Sequence, residues 1–270
     1  MWQKILTMSL VLFVVLSFTS CEELPSAQEV VDGIIESSDN IRTYQFDINE
    51  TIDMAAAGEE EDSFTLISKG TIDVENRQLR IDTSISETEQ PEIVWGGEQY
   101  FIDGMLYGKP KDPAGESMWM KQEAPEGWWE GIQQTGLVAS HIELLEAAQV
   151  EVIGSESVGG IDCYVLEVTP DLEKLWQLYN NLTFQETPDV TEEYLQEIFR
   201  SFYIKQWVAK DTYFLMKAEV DISTESSPEE PGPPAMDIAM VLLSYNYNEP
   251  VSIELPPEAE EAVEMPMGQE

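Results

Sequence analysis

From Arg42 the sequence alternates. Tyr44, Phe46, Ile48, Ile52 and Met54 fall on one face of an extended chain, and Gln45, Asp47, Asn49 and Asp53 on the other. Successive strand side chains point to opposite faces, so this stretch predicts a strand with one buried and one wetted side. The pattern returns at Phe64, Leu66 and Ile72, broken by Gly70. It returns again at Leu79, Ile81, Thr83 and Ile85, with ENRQ as the turn between the two. In EQYFIDGMLYGK, Asp103-Gly104 between apolar runs predicts a hairpin with a two-residue turn of positive φ. SMWMKQ adds a short strand, which completes an antiparallel meander from residue 42 to about 122.

Strands resume at residues 150–158 and 161–169 around Gly159-Gly160. They continue through YIKQWVAK, a turn at Lys210-Asp211, TYFLMKAEVDIS and MDIAMVLLSYNYN. Gly96-Gly97 also reads as a turn. Helical signals punctuate this pattern. Ser26 and Glu29 have capping-box spacing, with Val30, Val31, Ile34 and Ile35 at helical intervals behind them. Ser140 and Glu143 repeat the box before Leu145 and Ala148, and residues 171–202 read as a helical insertion. The whole is an α+β chain in which about ten antiparallel strands form a curved half-barrel sheet wrapped over helices. No repeat of fixed period appears.

The N-terminus carries a different signal. Lys4 precedes an uncharged run from Ile5 to Phe18, and Thr19-Ser20 lead into Cys21. A basic start, an apolar middle and small residues at the end are the order of a secretion leader. The run is shorter than the roughly 20 apolar residues that span a bilayer. A leader that ends in cysteine resembles the lipoprotein signal of prokaryotes, in which that cysteine becomes the first mature residue and carries lipid. The expected organisation is a signal peptide at 1–20, a lipidated Cys21 with a tether to residue 25, one domain at 26–255, and an acidic, disordered tail at 256–270. With Cys21 lipidated, Cys163 has no disulfide partner.

Composition excludes several functions. A net charge of −40 opposes nucleic-acid binding, whose affinity comes from Lys and Arg neutralising phosphates. It equally opposes docking on an anionic bilayer through a basic patch. A hydrophobic content of 43% supplies a core despite that charge. The single histidine, His141, reads as a solvent-facing helix residue, and with Cys163 it is too little for a zinc site. No G-x-S-x-G elbow and no phosphate-cradling glycine loop is present, so no cofactor, metal or catalytic residue is expected, and the chain does not read as an enzyme. Asn49 and Asn181 begin sequons whose use depends on the host.

The capped helix after the cysteine, then IRTYQFDINETIDM, YFIDGMLYGK with MWMK, VGGIDCYVLEVTPD and IKQWVAKDTYFLMKAEVDI, together resemble the LolA/LppX-type lipoprotein carriers over residues 25–250. That resemblance implies a half-barrel of antiparallel strands over helices, with an apolar cavity for acyl chains. The inward-facing candidates are Phe46, Ile48, Phe64, Leu66, Ile81, Tyr100, Ile102, Trp119, Trp128, Trp129 and Met216. PEGWWEG reads as a loop whose tryptophans close the cavity, touch a membrane interface or pack on the body. The expected partners are membrane lipid through Cys21 and a hydrophobic ligand, a lipid or a lipidated protein, held outside the cytoplasm. The alternative is a tethered interaction module with a self-filled core that binds a protein through its acidic surface or the tryptophan pair.

Overall fold

A computed structural model describes residues 24–55, 62–111, 117–135, 137–172, 199–225 and 235–264. The leader, Cys21, Asn181 and residues 173–198 of the expected insertion lie outside the described residues.

The capping box at Ser26 forms as its spacing predicts. Ser26 N donates to Glu29 Oε2 at 2.8 Å and Glu29 N donates to Ser26 Oγ at 3.2 Å, which starts α1 (Ala27–Ser38). Ser26 N and Ser26 Oγ both donate to Glu29 Oε2, and these bonds hold the Glu29 carboxyl below its ordinary range. The apolar stripe of α1 buries Val30, Val31 and Ile34.

Six strands then follow in order: β1 (Thr43–Ala55), β2 (Asp62–Asp73), β3 (Gln78–Glu87), β4 (Gln90–Ile102), β5 (Met105–Lys111) and β6 (Met120–Glu123). Each pairs antiparallel with the next. The Asp103-Gly104 turn has φ of 52° and 79°, as a two-residue hairpin of this twist requires. Two helices, α2 (Trp128–Thr135) and α3 (Leu137–Glu146), carry the chain to the far edge. There β7 (Ala148–Val158), β8 (Ile161–Pro170), β9 (Phe199–Ala209), β10 (Leu215–Thr224) and β11 (Ala235–Tyr245) meander back until β11 pairs with β1.

With a last short strand, β12 (Val263–Glu264), the result is one open sheet, ordered β12-β6-β5-β4-β3-β2-β1-β11-β10-β9-β8-β7, a half-barrel wrapped over the helices. Two buried clusters join sheet to helices. One sets Tyr44, Phe46, Leu79, Phe101 and Leu242 against Trp129; the other sets Leu166, Val168, Ile204 and Val208 against α1 and Leu145 of α3.

Several expectations are corrected. The chain beyond 255 is ordered to Glu264: a 3-10 turn at Pro257–Glu261 leads into β12 (Val263–Glu264), which pairs parallel with β6. Ala259 and Ala262 are buried there, because small apolar residues among the glutamates give the segment one face to bury. Residues 199–202, expected to be helical, begin β9, where Phe202 pairs opposite Ile222. Ser140 lies inside α3 and does not cap it. The tryptophans of PEGWWEG begin α2 rather than lying in a loop, with residues 125–127 as the turn before it.

Gly96-Gly97 is no turn but the middle of β4, with φ of 126° and 154°. A Cβ at Gly96 would lie 2.1 Å from the Thr83 carbonyl oxygen, and one at Gly97 2.5 Å from that of Lys109. Neighbouring strands approach too closely for any side chain at either position.

Candidate functional site

The unbroken register of β1 places Tyr44, Phe46, Ile48, Glu50, Ile52 and Met54 on one face, the face that meets the helices. Cross-strand partners extend it as rows. Ile48 stands beside Ser68 and Leu242, and Glu50 beside Leu66 and Met240; Ile52 stands beside Phe64 and Ile238. On β3 the rows continue through Ile81, Thr83 and Ile85, and on β4 they reach Trp95 opposite Ile85.

The first rows are covered. Tyr44 and Ile72 form the floor of a cleft of about 320 Å³, roofed by Ser38 and Ile41 at the end of α1, Trp129 and Ile132 of α2, and Val138 and Ile142 of α3. That volume is at the small end of the range typical of small-molecule sites. Trp129 is buried with its ring stacked on Phe101 at 5.4 Å, and Trp128 meets Phe101 at 4.6 Å. Both tryptophans therefore pack on the body through Phe101.

The later rows continue the apolar face beyond this packed region. Ile52, Leu66, Phe64 and Ile85 are half-buried and join no buried cluster among the described residues; Met240 and Ile238 behave alike. Ser68 and Thr83 satisfy each other across β2 and β3 at 2.7 Å. A largely apolar surface, interrupted by Ser68, Thr83 and Glu50, thus runs from the helix-covered cleft along the sheet.

Of the residues expected to line such a cavity, Phe46, Ile48, Phe64, Leu66 and Ile81 stand on this face, with Trp128 and Trp129 on the helix above it. Tyr100, Ile102, Trp119 and Met216 do not. Tyr100 pairs with Arg80 and Tyr107, one residue out of phase with Phe101, and so faces the other side of the sheet. There Tyr100 and Trp119, with Ile102 packed against them, form a separate cluster under Ile253, Ala259 and Ala262 of the C-terminal segment. Met216 sits at a register shift in β10 and packs with Cys163, Val165 and Trp207, again away from the helices.

His141, expected at the solvent, is 7% exposed, and its Nε2 lies 2.9 Å from Gln206 Oε1 on β9. Burial pushes it down to about 4 from its ordinary 6.5, against the pull of the Gln206 bond. A neutral imidazole bonded to a core glutamine is a packing element here. Among the described residues no group of three His, Cys, Asp or Glu is placed to hold a metal, and no helix is long and apolar enough to cross a membrane.

The model of a family of unknown function (DUF6612) matches residues 26–264. No curated protein matches the chain. Among solved structures the chain is similar to the Mycobacterium tuberculosis lipoprotein LppX, with 12% identity over 84% of this chain and 98% of that one and a TM-score of 0.44. It is similar to LprF from Mycobacterium bovis, with 12% identity, coverage of 85% and 96%, and a TM-score of 0.42. A LolA superfamily protein from Nitrosomonas europaea shares 16% identity, with coverage of 86% and 96% and a TM-score of 0.22.

Proposed function

We infer that this chain, which belongs to the DUF6612 family across residues 26–264, binds the apolar part of a lipid or lipidated protein between its sheet face and its helices. The observation that carries this reading is the continuation of one apolar face past the helices that cover its first rows. Among the described residues, the side chains of those later rows join no buried cluster. Affinity comes from area removed from water: at about 0.8 kcal/mol per buried CH₂, a dozen methylenes supply roughly 10 kcal/mol before the cost of association. No covalent step is needed, and the function is carriage or transfer.

We further propose that the body works outside the cytoplasm, tethered to a membrane by lipid on Cys21. The leader pattern supports this, since two or more acyl chains hold a protein at a bilayer where one barely does.

A native mass spectrum of residues 22–270, which retain every described residue, purified without detergent from a lipid-containing host, tests the binding. Extra mass that disappears on denaturation is the expected result. A bare mass that persists after incubation with host lipid refutes it and favours a tethered module whose partner is another protein.

A further inference from the structure

Glu50 occupies a position where the alternation of β1 calls for an apolar residue. It stands on the helix-facing side between Leu66 of β2 and Met240 of β11, with Ile48 and Ile52 before and after it on the same face. The neighbouring rows hold Ser68 and Phe64 on β2 and Leu242 and Ile238 on β11, none of them charged.

No hydrogen bond or ion pair reaches its carboxyl among the described residues, and burial alone raises it above its ordinary range. The nearest polar pair, Ser68 and Thr83, is already satisfied internally. A carboxyl half-buried among apolar side chains without a partner costs stability and returns none. Ser68 and Thr83, the other polar side chains beside these rows, bond to each other, whereas the Glu50 carboxyl has no such bond among the described residues, and a break of this kind in the pattern is where function is expected.

We propose that Glu50 is the head-group anchor of the apolar face and that it selects amphiphiles with an uncharged, hydroxyl-bearing head over those ending in an anion. The proposal rests on the hydrophobic-ligand reading above and names the class of ligand. A hydroxyl donates to the carboxylate and is cheap to desolvate. A carboxylate head would set like charges together, and an ammonium would have to shed its hydration at a cost that a half-buried ion pair does not return. With the head fixed at Glu50, the chain lies along the rows of Ile48, Phe46 and Tyr44 toward the cleft under α2 and α3.

The test compares 1-monolauroylglycerol with laurate, which share a twelve-carbon acyl skeleton, on the full-length protein at pH 7.5 and below micellar concentrations. A hydrogen bond to a charged group gives the glyceride about a tenfold advantage in Kd in the native protein. In Glu50→Gln, which keeps an acceptor but no charge, laurate gains and the ratio falls to about threefold or less. Glu50→Leu abolishes the preference, and thermal unfolding of both variants checks that they fold.

Equal affinity of the native protein for the two probes overturns the proposal without any variant. An unchanged ratio in folded Glu50→Gln overturns it as well. In both cases hydrophobic binding itself still stands. Failure of the native protein to bind either probe overturns the underlying reading and this proposal with it.

Discussion

Phe46 lies across the backbone of Gly70, its partner in the neighbouring strand. A Cβ added at residue 70 would meet the Phe46 ring at 2.3 Å. The glycine that interrupts the apolar pattern of β2 is therefore the seat of an aromatic ring in the main sheet-to-helix cluster.

Gly70→Ala is expected to destabilise the fold by about 1–3 kcal/mol, the usual cost of overpacking. Phe46→Leu in the same chain should recover part of that loss, because residues in contact couple. Chemical denaturation of the two single variants and the double variant measures the coupling, and strict additivity would contradict the contact.

His141 makes stability depend on pH. Its folded value of about 4 lies below its ordinary 6.5, so the unfolded chain takes up the proton first as pH falls. The contribution is complete above the unfolded value and is lost as pH drops toward 4. At 1.36 kcal/mol per pH unit the loss amounts to about 3 kcal/mol. His141→Gln removes this component, so the stability gap between native protein and variant should narrow by that amount between pH 7 and 4. A gap independent of pH would show that His141 titrates normally.

The C-terminal segment is a fastened strap. Val263 N donates to the Trp119 carbonyl at 2.9 Å, and Ala259 is fully buried against the Tyr100 and Trp119 cluster. Ala259→Glu places a charge in a site without room or partner and should detach the strap, at a cost of roughly 3 kcal/mol. Loss of amide-exchange protection at Val263 and a red shift of tryptophan emission are the expected signs. Full protection at Val263 in the variant would argue that the strap is held elsewhere.

Ser26→Ala removes one half of the capping box of α1. The expected loss is about 1 kcal/mol, read from thermal unfolding. Ser26→Asp, which keeps the acceptor, should lose much less; equal losses in the two variants would mean that the cap contributes nothing.

Much of this architecture is legible in the residues. The alternation at 44–54 predicts β1, Asp103-Gly104 its distant hairpin, and Ser26 with Glu29 the start of α1, because each depends on chemistry within a few positions. The carboxyl at Glu50 is legible too, by parity with Phe46 and Ile48, although Ile52 and Met54 on the same face draw the eye past it. Other readings fail where a local pattern is ambiguous. SHIELLEAAQ has capping-box spacing, yet the helix begins three residues earlier at Leu137. The WW pair suits a loop as well as a first helical turn until Phe101 offers a ring to stack on.

Strand period, turn residues and caps act over short range, so the residue pattern alone makes the chain a long antiparallel meander with a capped helix before it. Which apolar face meets the helices and which is closed by the C-terminal segment is fixed by long-range packing. Tyr100 and Phe101 are adjacent and both buried, but a period of two sends them to opposite sides of the sheet. Sheet side becomes a functional distinction only when α2 arrives over Phe101 and the Ile253–Ala262 segment over Tyr100. Those contacts join residues far apart in the chain, and no local pattern encodes them.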